Sequence, residues 1–129
     1  MLPAMLAHDQ LQAFLATTDG VRARAFFEGT LGLPLRSEDP FALVFDANGT
    51  SLRVAFVETF TPQPFTVLGW HVEDIEAAVK SLSARGVHFE RYPGMDQDAL
   101  GIWPSPSGAK VAWFKDPDGN TLSVSQNPL

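Results

Sequence analysis

Near its carboxyl end the chain reads Lys115-Asp-Pro-Asp-Gly-Asn-Thr-Leu-Ser-Val124, and a similar stretch occurs earlier in the chain. The copy is Phe45-Asp-Ala-Asn-Gly-Thr-Ser-Leu-Arg-Val54, with an offset of 70 residues between the two glycines (119 − 49). Each stretch predicts two strands joined by a tight Asp-x-x-Gly turn, whose glycine can take a positive φ. A repeated hairpin indicates a chain built from two copies of one unit.

A second repeat lies upstream of each hairpin. The segment Leu11-Gln-Ala-Phe-Leu-Ala-Thr-Thr-Asp19 matches Thr66-Val-Leu-Gly-Trp-His-Val-Glu-Asp74, at an offset of 55 residues (74 − 19). Each segment is typical of a strand, and each ends in an aspartate that can cap a helix. The two copies therefore share their first strand as well as their last two.

The runs that follow these aspartates have helical spacing. Gly32 and Gly86 are the predicted stops. The second helix presents one apolar face, formed by Ile75, Ala78, Val79 and Leu82. The first helix is expected to bury Val21, Ala25, Leu31 and one of Phe26 and Phe27. Each copy then reads as β-α-β-β-β, which predicts an α+β protein.

The two copies differ in length. Their offsets differ by 15 residues (70 − 55), so the second copy carries an insertion between its helix and its hairpin. The insertion falls within residues 87–108, where proline and glycine are frequent, as is typical of a loop. We assign module one to about residues 8–58, a linker to 59–65 and module two to about 66–126, all within one domain spanning 1–129.

Two motifs carry a resemblance to a known family. Asp19 followed by Phe26-Phe-Glu-Gly-Thr-Leu-Gly-Leu33 resembles the "D…FY…LGL" signature of the vicinal oxygen chelate superfamily, which includes glyoxalases, bleomycin resistance proteins and extradiol dioxygenases. Val111-Ala-Trp-Phe-Lys-Asp-Pro-Asp-Gly-Asn-Thr-Leu122 resembles its closing "aFf-DPDGn-le" motif. The resemblance covers nearly the whole chain. It implies two βαβββ modules forming an open eight-stranded cup, with the helices outside, the ligand inside and a homodimer as the common assembly.

The resemblance also implies four metal-ligand positions, one on the first and one on the last strand of each module. In family enzymes they hold His, Glu or Gln; here they hold Gln12, Arg53, Val67 and Ser123. Valine offers no lone pair, arginine is a permanent cation without an acceptor, and a neutral serine hydroxyl is a weak ligand. Only the Gln12 carbonyl could serve, whereas such sites require imidazole and carboxylate. We therefore expect neither a metal nor another cofactor.

Strand alternation sorts the side chains into two faces. One parity is apolar and is expected to pack on the helices: Leu52, Val54, Phe56, Leu122 and Val124. The opposite parity supplies most of the ligand-binding candidates, with Trp103 added as a lid from the inserted loop: Gln12, Phe14, Arg53, Val67, His71, Ser123 and Trp103. This set of polar, charged and apolar side chains suits a small organic molecule with an anionic or carbonyl group.

Several of these candidates also have a structural interpretation. Arg53 is either a ligand anchor or the partner of a nearby carboxylate such as Glu58. Gln12 and Ser123 either contact a ligand or hydrogen-bond each other. His71 is either a base or a structural histidine, and Trp103 is either a lid or part of the packing of a long loop. No nucleophile–base pair is visible, so the catalytic residues, if there are any, are unknown.

Composition and charge argue against several kinds of partner and cellular location. The net charge of −6, with only nine Lys and Arg, argues against nucleic acid as a partner. The absence of cysteine excludes thiolate sites and fits a reducing cytoplasm. The start, residues 1–8, lacks a basic segment and contains Pro3, unlike a secretory signal, and no apolar run reaches membrane-spanning length. We expect a cytoplasmic protein that binds neither nucleic acid nor a membrane.

Three functions stay open. The first is a glyoxalase/bleomycin-resistance-like protein without a metal, which binds a small organic molecule, possibly an anion, and forms a homodimer. The second is a metal-dependent lyase, isomerase or dioxygenase resembling glyoxalase, so enzyme status is open. The third is a dimeric accessory subunit without a ligand.

The metal expectation can be tested by elemental analysis of protein purified gently and without chelators. We expect no stoichiometric zinc, nickel, iron or manganese, because Arg53 and Val67 cannot coordinate a cation. Near one equivalent of any of these metals, lost on Gln12→Ala, would contradict the expectation.

Overall fold

A computed structural model describes residues 5–128 and divides the chain into two compact units, Met1–Phe60 and Thr61–Leu129. After a short 3-10 turn at Leu6–His8, unit one contains β1 (Gln12–Thr17), α1 (Gly20–Arg24), a π-helical segment (Ala25–Thr30), β2 (Leu35–Glu38), β3 (Ala42–Ala47) and β4 (Thr50–Phe56). Unit two contains β5 (Thr66–His71), α2 (Ile75–Ala84), β6 (Trp103–Pro104), β7 (Lys110–Lys115) and β8 (Thr121–Gln126). The predicted α+β class with two βαβββ modules is confirmed. The apolar start considered above lies partly outside the described residues.

Each module forms its own four-stranded sheet, with the order β1-β4-β3-β2 in module one and β5-β8-β7-β6 in module two. The first and last strands of a module pair in parallel, and the other neighbours are antiparallel. The last strand, β4 or β8, therefore lies between two others in each sheet. No helix among residues 5–128 is long and apolar enough to cross a membrane.

One face of each sheet packs on the helix of its own module. In module one the buried side chains are Leu15, Leu43, Phe45, Leu52 and Val54 from the sheet, and Ala23 and Phe27 from the helical segment. In module two they are Ala112, Phe114, Leu122 and Val124 from the sheet, with Ile75, Val79 and Val87. The predicted apolar parity is thus confirmed. Phe56 is the most exposed residue of this set. Its ring packs against the start of α1, where a Cβ added at Gly20 would lie 2.7 Å from it.

The prediction for the first helix is partly wrong. Val21 is 84% exposed and Ala25 is also exposed, whereas Ala23 and Phe27 are buried. Residues two positions apart lie on nearly opposite sides of a helix, so the face toward the sheet is that of Ala23 and Phe27 and not that of Val21 and Ala25. Phe27 thereby reaches Phe45 in the sheet, with 5.7 Å between ring centroids.

The predicted caps and turns are confirmed. The carboxylates of Asp19 and Asp74 accept the backbone N–H groups of Arg22 and Ala77, each at 3.1 Å. The glycines expected to end the helices have positive φ, 76° at Gly32 and 95° at Gly86. These local contacts set where each helix begins and ends.

The closing hairpin is organised by a buried carboxylate. Asp116 Oδ1 accepts the backbone N–H groups of Asp118 and Asn120 at 3.0 and 2.9 Å, and Oδ2 accepts the Asn120 side-chain amide at 2.8 Å. Burial raises the pKa of Asp116 against the opposing effect of the Asn120 hydrogen bonds. Asp116 therefore forms a turn, as its motif predicts, and offers no free carboxylate for chemistry.

The inserted residues interrupt the edge strand of module two. Phe89 bridges Phe114, and the Glu90 N–H donates to the Trp113 carbonyl at 2.8 Å. The chain then leaves the sheet and returns at Trp103, which pairs with Val111. The insertion thus lies inside the predicted range 87–108.

Candidate functional site

The candidate residues lie on the sheet faces that point away from the helices, here named the helix-distal faces. In module one, Arg53 on the inner strand β4 stands between Phe14 on β1 and Val44 on β3. Gln12 pairs with Ser51 in the same way, two positions away along β1. The structure therefore brings Gln12, Phe14 and Arg53 to one face, as alternation predicts.

Arg53 has no partner among residues 5–128. It is partly buried, yet it makes neither an ion pair nor a hydrogen bond with any described residue, so the pairing with Glu58 considered above is not present. The carboxylate of Asp46, on the neighbouring strand, is engaged by Arg36 at 3.1 Å. The Phe14 side chain beside Arg53 is 64% exposed. A free guanidinium thus stands next to an open aromatic ring.

In module two the pairing is regular at His71 and Gly69 but not at Val67. His71 faces Ser125, and Gly69 faces Ser123. The repeat offset would place Val67 opposite Thr121, but Thr66 takes that position and the register shifts between Thr66 and Leu68. Val67 therefore sits in a bulge, 39% exposed and without a partner residue on β8.

Ser123 and Gly69 are in close contact on the helix-distal face. A Cβ added at Gly69 would lie 2.6 Å from Ser123 Oγ, so the glycine makes room for the hydroxyl. Ser123 is 8% exposed, and its hydroxyl makes no hydrogen bond with any residue in the range 5–128. A nearly buried hydroxyl on this face is thus left available.

His71 has a structural role in this arrangement. Its Nε2 accepts the backbone N–H of Asn127 at 3.3 Å, which ties the segment after β8 to β5. The contact engages one of the two ring nitrogens with a main-chain donor. The structural interpretation of His71 is therefore favoured.

A cluster of aromatic rings covers part of the helix-distal face of module two. Trp113 lies at its centre, with ring centroids 5.6 Å from Tyr92 and 5.9 Å from Trp103. The Trp113 indole N–H donates to Thr66 Oγ1 at 3.1 Å, which fixes the ring. Trp103 is among the residues predicted from the sequence, whereas Trp113 is not. Trp113 is the cross-strand partner of Ser123, so strand alternation already places it on the helix-distal face.

A surface pocket of about 330 Å³ opens beside this cluster. Its walls include Phe65, Tyr92, Met95, Trp113, Lys115 and Thr121. Burial raises the pKa of Tyr92, and the negative charge of Glu90 raises it further, so the phenol stays neutral at physiological pH. The volume falls in the range of small-molecule sites.

The residues at the positions implied by the family are poor ligands for a metal. Across the part of the chain that the structure describes, no three His, Asp or Glu side chains come together to hold a cation. Arg53 presents a positive charge, Val67 lies in the bulge, and Ser123 offers only a neutral hydroxyl. These donors do not fit a divalent ion.

The chain resembles known proteins in both sequence and fold. The sequence profile of the Glyoxalase/Bleomycin resistance protein/Dioxygenase superfamily matches residues 9–124. The uncharacterized protein YraH of Bacillus subtilis is 28% identical over 130 residues, covering 88% of this chain and 94% of that protein.

Two solved structures share the fold. The bleomycin resistance determinant encoded on the transposon Tn5 has a TM-score of 0.73 at 20% identity, covering 94% of this chain and 99% of that one. TnmS3, an antibiotic binding protein from Streptomyces sp. CB03234, has a TM-score of 0.70 at 22% identity, covering 97% of this chain and 100% of that one.

The contact between Gly69 and Ser123 can be tested by a double-mutant cycle. We expect Gly69→Ala to lower the free energy of unfolding by about 1–3 kcal/mol in the wild type, because the new methyl collides with the hydroxyl. In a Ser123→Ala background the same change should cost much less. Chemical denaturation of the four proteins measures the coupling; equal costs in both backgrounds would contradict the contact.

Proposed function

The chain belongs to the glyoxalase/bleomycin resistance protein/dioxygenase superfamily, and within it we propose that the protein binds a small organic anion without the help of a metal ion. The observation that carries this proposal is the unpaired guanidinium of Arg53 on the helix-distal face of module one.

The position of Arg53 favours an anionic ligand. A partly buried cation loses hydration, and an anion at hydrogen-bond distance offsets that loss. Asp46 is already engaged by Arg36, so the neighbouring strand supplies no free carboxylate. The guanidinium fork matches a carboxylate or phosphate in shape. A bound ligand is the partner that we propose for it.

Phe14 extends the same site with apolar surface. Its exposed ring stands directly beside Arg53 in the β1–β4 pairing. An aromatic ring next to a cation suits an organic molecule whose charged group meets Arg53 and whose carbon skeleton covers Phe14. In this proposal Gln12, two residues along β1, supplies an amide to the same ligand.

The names of two of the solved structures support binding as the function class. One is named as a bleomycin resistance determinant and another as an antibiotic binding protein. A metal-dependent lyase, isomerase or dioxygenase would need imidazole or carboxylate ligands that Arg53, Val67 and Ser123 do not supply. The proposed binder works as a homodimer, the assembly that is common in the family.

Replacing Arg53 tests the proposal. A thermal-shift screen of small carboxylates and phosphates identifies ligands, and calorimetry then measures their affinity for wild type and for Arg53→Met, which keeps much of the stem without the charge. We expect the variant to lose about 1.5–3 kcal/mol of binding free energy, the scale of a charge-assisted hydrogen bond.

Arg24→Met is the matched control, because it removes a guanidinium of the same module that lies on the helix and is paired with Glu28. We expect this variant to bind as the wild type does. Equal binding by Arg53→Met and wild type would return Arg53 to a structural role and refute the proposal.

A further inference from the structure

We infer that the pocket of module two takes a flat aromatic molecule that carries a carboxylate, with its ring against Trp113 and its carboxylate at Thr121 and Lys115. The inference goes beyond the proposed function, because it adds a second site for an organic anion to the same protein. Its residues are different from those that carry the proposal above, so the two can fail separately.

The apolar walls of the pocket suit a flat ring. Trp113 and Tyr92 form an edge-to-face pair at 82°, and Phe65 at another wall is 59% exposed. Met95 adds a flexible thioether, which adapts to an aromatic surface. Aromatic side chains in offset or edge-on contact favour aromatic ligands over saturated ones of similar size.

The polar side of the pocket has unused hydrogen-bonding groups. Thr121 is only 7% exposed, and its hydroxyl makes no hydrogen bond within residues 5–128. No buried side-chain polar atom of the described residues lacks a partner, so this hydroxyl reaches solvent and is open to a ligand that hydrogen-bonds to it.

Lys115 provides the charge beside this hydroxyl. It is the direct cross-strand partner of Thr121, so both side chains reach the same face. Lys115 is exposed and pairs with no carboxylate of the described chain. An ammonium next to a hydroxyl donor is a suitable receptor for a carboxylate.

The pocket is held in shape before any ligand arrives. The Gln97 side-chain amide donates to the Glu90 and Gly101 carbonyls at 2.9 Å each, and its oxygen accepts the Tyr92 backbone N–H at 2.8 Å. Arg91 donates to two carbonyls of the same loop at 2.7 Å. A wall ordered in advance lowers the entropy cost of binding.

Calorimetric titration with 2-naphthoate tests the inference, with decahydro-2-naphthoate as the saturated control and 2-naphthamide as the uncharged one. We expect both controls to bind at least ten times more weakly than 2-naphthoate. Lys115→Met and Thr121→Val should each weaken 2-naphthoate binding by five-fold or more. Lys110→Met, a matched charge loss on the same strand but outside the pocket, should leave it unchanged.

Nuclear magnetic resonance of the indole N–H groups locates the ligand. We expect the Trp113 signal, identified by its loss in Trp113→Phe, to shift on addition of 2-naphthoate. Binding that Arg53→Met abolishes and Lys115→Met leaves intact would overturn the inference while supporting the proposed function. Absence of 2-naphthoate binding to folded wild type would overturn the inference alone, because the Arg53 site is tested separately with the ligands found in the screen of small carboxylates and phosphates.

Discussion

In each module the parallel pairing between the first and the last strand determines which side chains meet the helix and which do not. Because side chains alternate along β4, this register turns Leu52 and Val54 toward the helix and Arg53 away from it. A slip of one residue would exchange the two sets. It would press a guanidinium into the apolar layer around Phe27, where a desolvated charge costs several kcal/mol. The same argument holds in module two, where Leu122 and Val124 alternate with Ser123.

This constraint explains why Arg53 and Ser123 find no hydrogen-bond partner within residues 5–128. Arg53 and Ser123 lie on inner strands, with a neighbouring strand on either side. The backbone there is fully paired within the sheet, so their side chains find hydrogen bonds only on the face itself. Close neighbours on that face, such as Phe14 and Gly69, offer none. A sheet built in this way presents a guanidinium and a hydroxyl to whatever molecule binds there.

Much of the fold could be predicted because its signals are local. The repeat located both hairpins and both helices, since the Asp-x-x-Gly turns and the capping residues Asp19 and Asp74 act on their immediate neighbours. The insertion could be located because the two repeat offsets differ by 15 residues. Module two is therefore the longer one between its helix and its hairpin. The candidates Gln12, Phe14 and Arg53 followed from alternation along regular strands.

The features that could not be predicted depend on long-range packing. The bulge at Val67 arises from how β5 meets β8, strands that are more than fifty residues apart. The face of the first helix that packs on the sheet is set by the contact of Phe27 with Phe45, and the equally apolar Val21 and Ala25 give no local signal against the other face. The aromatic cluster around Trp113 forms because the inserted loop folds back onto the sheet.

The central claim is that an organic anion binds at Arg53 without a metal. The most direct measurement is a titration of 15N-arginine-labelled protein with a ligand from the screen, in excess EDTA, following the Arg53 Nε–H signal. We expect this signal to shift on binding and the affinity to be the same after zinc or manganese replaces the chelator. Binding that occurs only once a divalent metal is restored, or that leaves the Arg53 signal unmoved, would contradict it.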